Sequence, residues 1–201
     1  MDNNTLFRWL AFGTQVLIMV IVIRYRTRAQ AGRSFSLDEE GKAIAIPLRL
    51  AGLVLWFYVP VLAIFPRLMA WSTVDVLPVW LRAVAAGIAL LVIPPLAIWA
   101  QSSLGRNVST TVVTHDDHQL VTDGPYKFVR HPLYTIGATL FICLAVITQG
   151  WLLLAALIVG YVPLMKRTPK EEAKLIEKFG DAYLAYMERT GRYLPRLVKQ
   201  S

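Results

Sequence analysis

Hydrophobic positions along the chain gather into five blocks, each running through several helical turns without the regular polar positions of a soluble amphipathic helix. The blocks are Leu6–Ile23, Ala43–Phe65, Val79–Ala100, Pro132–Thr148 and Trp151–Met165. A perpendicular helix needs about 20 residues to cross the hydrocarbon core of a bilayer. The first three blocks reach that length. The last two are shorter and joined only by Gln149 and Gly150, which predicts a tight helical hairpin that thins the bilayer or leans on other helices. Pro94 and Pro95 remove two backbone donors from the middle of the third block and predict a bend there. The expected fold is an all-α integral membrane protein of about five transmembrane helices, with a short C-terminal helical hairpin and a cytoplasmic amphipathic tail helix. Residues 1–201 are read as a single membrane domain, with three spans in 1–100 and two more in 101–201.

Composition agrees with this pattern. The chain is 56% hydrophobic and only 17% charged, too little polar residue to cover a soluble domain of 201 residues. Its net charge of +8 could suggest nucleic acid, but the basic residues lie between apolar blocks and no nucleic-acid-binding motif is present, so nucleic acid is not an expected partner. The placement of those residues predicts sidedness instead. Arg24, Arg26, Arg28, Arg33 and Lys42 fill the first connection, and Arg106, Lys127 and Arg130 the third. Lys166, Arg167, Lys170 and Lys174 begin the tail, whereas the second connection has only Arg67 and Arg82. By the positive-inside rule the N-terminus is expected outside, and the segments 101–131 and 166–201 share the cytoplasmic face. The first block, flanked by Arg8 and the arginines after it, reads as a retained span rather than a cleaved signal. Cys143, the single cysteine, lies in an apolar run and reads as a buried thiol.

The cytoplasmic segments carry the candidate chemistry. In GPYKFVRHPLYT (124–135) Pro132 suits the first position of a helix and pushes His131 toward extended backbone. Arg130 and His131 then stand at a helix mouth, where an anion could be clamped. The competing reading has Arg130 and Lys127 snorkelling to phosphate headgroups. Gly124-Pro125 reads as a turn that delivers Tyr126 toward the membrane. His115 and His118 flank two acids, but their spacing matches no zinc pattern and a solvated loop is expected.

In the tail, Thr168, Pro169 and Glu171 spell a helix start, with Glu171 as the reciprocal half of a capping box. Glu172 is not needed by that cap and is free to turn inward. Leu175, Ile176, Phe179, Tyr183 and Met187 recur at helical spacing, with Gly180 as a potential break. Tyr183 and Tyr186 read as interface aromatics or as pocket lining. There is no nucleophile–base pair, dinucleotide loop or P-loop, so hydrolase, kinase and Rossmann readings have no support.

Three stretches, SLGRNVS (103–109), LVTDGPYKFVRHPLYTIG (120–137) and EEAKLIEKFGDAYLAYMERTGRYLP (171–195), together resemble the isoprenylcysteine carboxyl methyltransferase family of integral membrane enzymes. The resemblance covers roughly the C-terminal half of the chain. It implies S-adenosylmethionine bound on the cytoplasmic side without a Rossmann fold, and a lipophilic or lipidated acceptor entering from the bilayer. By motif position it assigns Gly124, Pro125, Tyr126, His131, Pro132 and Tyr134 to the cofactor, with Glu171, Tyr183 and Tyr186 in the same pocket. Arg130, Arg167 and Glu172 would lie near the transferred methyl and the acceptor as catalytic residues, and no metal is implied.

A carboxylate acceptor, with a pKa near 4, arrives ionised and needs no general base, whereas a thiol near 8.5 would benefit from one. The scarcity of obvious bases, with His131 the one candidate, favours a carboxylate or another already nucleophilic acceptor. Alternatives left open are a methyltransferase for a small thiol or a phospholipid amine, an NADPH-dependent lipid reductase, and a non-catalytic membrane protein whose basic segments bind anionic lipid.

Overall fold

A computed structural model describes residues 2–30, 39–104 and 120–196; Arg106, His115 and His118 lie outside the described residues. The described residues are mainly helical, and among them no strand forms beyond two isolated bridges. The helices are α1 (Asn3–Gln30), α2 (Glu39–Ile64), α3 (Val79–Gly87), α4 (Ile93–Leu104), α5 (Pro132–Thr148), α6 (Trp151–Phe179) and α7 (Asp181–Arg189). Four stretches are long and apolar enough to cross a membrane: Asn3–Tyr25, Ile46–Ile64, Val79–Leu104 and Trp151–Phe179, with α5 as a shorter apolar helix beside them. The protein is an all-α integral membrane protein. Its outward surface is apolar, with Phe57, Leu91 and Ile158 each more than 60% exposed, as residues solvated by lipid are.

Small residues bring the helices close. Ala11, Ala89 and Ala100 are completely buried, and a Cβ on Gly160 of α6 would stand 2.8 Å from the Ala51 Cβ of α2. Close backbone approach of this kind drives association where lipid supplies no hydrophobic force between helices. Gln15 adds a polar tie, donating from Nε2 to the Leu55 carbonyl at 2.6 Å.

The Pro94-Pro95 pair does not end the third span. A π turn, Ile88–Val92, joins α3 to α4 just before it, and the Ile93 N–H reaches back five residues to the Ile88 carbonyl. The wider turn relieves the clash between a proline ring and the preceding carbonyls. The α5–α6 hairpin is as tight as predicted: Gln149 adopts the left-handed conformation at φ 55°, and Gly150 starts the return.

One expected boundary is corrected. No helix starts at Thr168, because α6 runs unbroken from Trp151 to Phe179 and contains Pro169. Thr168 is completely buried and donates from Oγ1 to the Leu164 carbonyl at 3.0 Å, the back-bond of a helix interior rather than an N-cap. Proline's fixed φ suits a helix, and only its missing N–H disturbs the ladder. The break comes instead at Gly180 (φ 54°, ψ −134°), where α7 turns away.

Candidate active site

At one end of the bundle, the mouth of α5, the polar end of α6 and the segment after α7 meet. Two extended pieces pair there. The Arg130 N–H donates to the Gly191 carbonyl at 2.9 Å, the His131 N–H to the Arg192 carbonyl at 3.0 Å, and the Gly191 N–H to the Phe128 carbonyl at 3.3 Å. Pro132 begins α5 as the sequence predicts, and it keeps His131 out of the helix so that this pairing can form. Thr135 adds a side-chain bond, Oγ1 to the Tyr193 carbonyl at 2.6 Å.

Glu172 is the centre of the site. It projects from α6 with a side chain only 3% exposed. Arg130 Nε donates to its Oε1 at 2.8 Å, and His131 Nε2 lies 3.4 Å from the same oxygen. Arg192 covers Oε2 with Nε at 3.0 Å and Nη2 at 2.5 Å. Arg130 spends Nη1 on two carbonyls, Thr190 at 2.5 Å and Met187 at 3.3 Å. The anion at the helix mouth is therefore the protein's own Glu172. Arg130, with a side chain 8% exposed, does not snorkel to headgroups, whereas Lys127 is exposed. Hydrogen bonds to Glu172 hold the Arg192 guanidinium above its ordinary pKa.

Glu171 belongs to a neighbouring arrangement and not to a capping box. Tyr134 donates its hydroxyl to Glu171 Oε2 at 2.9 Å, and its ring stacks on His131 with centroids 5.2 Å apart. Arg167 sits one helical turn before Glu171 on α6, half-buried and near enough for its charge to act on the Tyr134 phenol. Among the described residues it makes no ion pair. Tyr193 also stands beside His131, 6.0 Å between centroids, and its hydroxyl is buried without a hydrogen-bond partner among the described residues.

The Gly124-Pro125-Tyr126 turn forms as predicted, a 3₁₀ turn over Gly124–Lys127. Gly124 has φ +62°, and a Cβ there would collide with the Ser103 side chain, so glycine is required twice over. Tyr126 reaches the site through α7, since Tyr186 donates its hydroxyl to the Tyr126 carbonyl at 2.7 Å. Tyr183 and Tyr186 are each 2% exposed and pack edge to face at 5.7 Å, which excludes the interface-aromatic reading. Burial raises the Tyr126 and Tyr183 phenols and pushes Tyr186 up to about 12.

The structure thus gathers Arg130, His131, Tyr134, Glu171 and Glu172 directly, with Arg167 alongside and Tyr126, Tyr183 and Tyr186 packed behind. Sequence reasoning missed Arg192 and Tyr193. Both lie in GRYLP, after the last helix, where the one available signal was a cation and an aromatic ring held between Gly191 and Pro195. No group of three metal-ligating side chains occurs among the described residues.

Residues 85–177, a little under half of the chain, match the isoprenylcysteine carboxyl methyltransferase family, a stretch that contains Arg130, His131, Tyr134, Arg167, Glu171 and Glu172. The chain is 40% identical over 70 residues to methanethiol S-methyltransferase 1 of Bradyrhizobium diazoefficiens, covering 35% of this chain and 24% of the relative. It is 32% identical over 104 residues to the protein-S-isoprenylcysteine O-methyltransferase of Homo sapiens, covering 48% and 35%. It is 30% identical over 79 residues to the nickel-cobalt-cadmium resistance protein NccN of Alcaligenes xylosoxydans xylosoxydans, covering 39% and 37%. The matched stretch spans about a quarter to two fifths of the length of these relatives. Through the segment 85–177 the chain is similar to the isoprenylcysteine carboxyl methyltransferase family.

Proposed function

We propose that the protein is an integral membrane methyltransferase that uses S-adenosylmethionine to methylate a lipophilic acceptor, with a carboxylate as the favoured acceptor group. The observation that carries this reading is the buried Glu172, held by Arg130, Arg192 and His131 inside the family-matched segment and beside the stacked His131–Tyr134 pair. S-adenosylmethionine bound there would supply a methyl on a sulfonium sulfur, for transfer in line to an acceptor lone pair as the carbon–sulfur bond breaks and S-adenosylhomocysteine leaves.

The residues suit such a group. The aromatic faces of His131, Tyr134 and Tyr193 and the carboxylate of Glu171 are what a sulfonium and an adenine favour, and the buried Tyr193 hydroxyl offers a hydrogen bond that no described residue takes up. Tyr126, Tyr183 and Tyr186 back this wall, with Gly124, Pro125 and Pro132 setting its two turns. Glu172 fixes Arg130 and Arg192, and so orients the positive side of the site. Arg167 is the residue for the acceptor: a half-buried guanidinium without an ion-pair partner among the described residues matches a carboxylate. Such an acceptor arrives ionised, so no side chain has to remove a proton. The concentration of basic residues at this end supports a cytoplasmic site and C-terminus, with the N-terminus outside.

A small-thiol acceptor is the second reading, favoured by the relative named for methanethiol; His131 would then serve as the base. Calorimetry on the purified protein tests the cofactor: S-adenosylhomocysteine should bind and NADPH should not, and the reverse pattern would sink the proposal. A screen of methyl uptake by prenylcysteines, fatty acids, small thiols and phospholipid amines then separates the two acceptor readings.

A further inference from the structure

At the other end of α5, about 25 Å from the helix mouth by helical rise, a second polar site is built into the bundle. It is a cavity of ≈ 140 Å³ between α1, α3 and the hairpin turn, lined among others by Asn4, Arg8, Asp75, Arg82 and Gln149. Arg82 is the unexpected member. The sequence reads it as a sparse loop charge, yet it is only 3% exposed. Its Nε donates to the Ile147 carbonyl at 3.0 Å, its Nη1 to Asn4 Oδ1 at 2.6 Å, and its guanidinium lies 4.3 Å from the Phe7 ring centroid.

Arg8 joins it from α1. Its Nη2 donates to Thr5 Oγ1 at 2.8 Å, but its Nε is buried with no hydrogen-bond partner among the described residues. A buried, charged donor left unpaired is costly and signals a missing acceptor. Asp75 is the one acid on the wall, and it already accepts from Gln149 Nε2 at 2.9 Å. Gln149 in turn takes the Val76 and Leu77 N–H groups at 2.8 and 2.7 Å, which fixes the loop that carries Asp75. The wall therefore carries two guanidiniums against one carboxylate on a fixed frame.

The surroundings identify what the acceptor is attached to. Trp71, Trp80 and Trp151 are all exposed at this end, and Trp71 and Trp151 meet edge to face at 5.8 Å. Leu68 and Val76 add exposed apolar surface. Tryptophans mark the level of lipid headgroups. A cationic cavity there, with an apolar rim, fits a phosphate whose acyl chains run down the outside of the helices.

We propose that this cavity binds the headgroup phosphate of an anionic phospholipid through Arg8 and Arg82, at a site separate from the Glu172 cluster and independent of the reaction assigned to it. The test uses the full chain in nanodiscs of phosphatidylcholine with and without phosphatidylglycerol, read by thermal unfolding and by native mass spectrometry of retained lipid. Phosphatidylglycerol should raise the melting temperature and remain bound to the wild type. Arg8→Gln, which removes one charged hydrogen bond, should weaken retention about tenfold. Asp75→Asn keeps the acceptor for Gln149 while removing the opposing charge, so it should strengthen retention. Arg67→Gln is the control, since Arg67 is exposed in the same connection but does not line the cavity. Equal responses from Arg8→Gln and the wild type would overturn the proposal. So would equal losses from Arg67→Gln and Arg8→Gln, or a full substitution of phosphatidylglycerol by inorganic phosphate.

Discussion

Replacing Glu172 by glutamine tests whether the centre of the candidate site is also a centre of stability. The amide keeps an acceptor for Arg130 Nε but turns its own N–H groups toward Arg192, and it removes the carboxylate that Arg130, Arg192 and His131 share. The two arginine contacts differ in weight. Arg130 and Glu172 are 8% and 3% exposed, and breaking a buried pair by removing one partner costs about 3–5 kcal/mol. Arg192 is 39% exposed, so solvent screening limits its share to less than about 1 kcal/mol. Because the amide retains one acceptor, the lower end applies, about 3 kcal/mol. At roughly 2–4 °C per kcal/mol for a chain of this size, the melting temperature should fall by about 6–12 °C. Thermal unfolding of the purified variant in detergent reads the effect, with Arg192→Gln beside it expected to fall by less than about 4 °C. A Glu172→Gln variant as stable as wild type, or an Arg192→Gln variant with the larger drop, would refute the assignment of the buried pair as the dominant contact.

Tyr186→Phe should cost about 1 kcal/mol through loss of the bond to the Tyr126 carbonyl. It should also reduce alkaline sensitivity: burial raises the folded phenol to about 12, so its contribution is complete below the ordinary pKa of 10 and is lost between about pH 10 and 12, as unfolding at stepped pH would reveal. Gly137→Ala should destabilise α5 against α6, because its Cβ would collide with the Tyr161 hydroxyl; Tyr161→Phe should rescue most of the loss in the double variant, less the bond that Tyr161 gives the Tyr134 carbonyl at 2.8 Å. Gly124→Ala should cost at least about 1–2 kcal/mol from the left-handed backbone alone, and Ser103→Gly should recover only the steric part, as denaturation of the single and double variants would measure.

The pattern of hydrophobic blocks predicts the helices well where hydropathy and backbone geometry coincide. The block Pro132–Thr148 is α5 itself, and Val79–Ala100 differs from the helical stretch Val79–Leu104 only at its end. They part at the fifth block. Hydropathy falls after Met165, where Lys166 and Arg167 begin a charged stretch, but helical hydrogen bonding does not depend on side-chain polarity and carries α6 on to Phe179. That continuation turns Thr168 from a cap into a buried residue. Within the site, Arg130 and Glu172 are recognisable as chemistry-bearing residues, but their pairing is not, because 42 residues separate them and only the hairpin brings them together. Arg192 is less legible still. It follows the last helix, in a segment with no periodicity, and its position depends on backbone pairing with Arg130 and His131.

The depth of the cluster follows from the lengths of α5 and α6. From Trp151, in the tryptophan-bearing end of the bundle, to Glu172 is 21 helical steps, about 32 Å at 1.5 Å per residue. The hydrocarbon core is about 30 Å thick, so Glu172 emerges where the acyl region gives way to headgroups. The 17 residues of α5 span about 26 Å from the same turn and bring Arg130 and His131 to nearly that level. A buried ion-pair cluster in mid-bilayer would be reachable only by lipid, and one on a long cytoplasmic extension only by water-soluble ligands. At the boundary, a water-soluble sulfonium cofactor and an acceptor anchored in the bilayer can both approach. The unequal hairpin thus supports the proposed reaction independently of the motif.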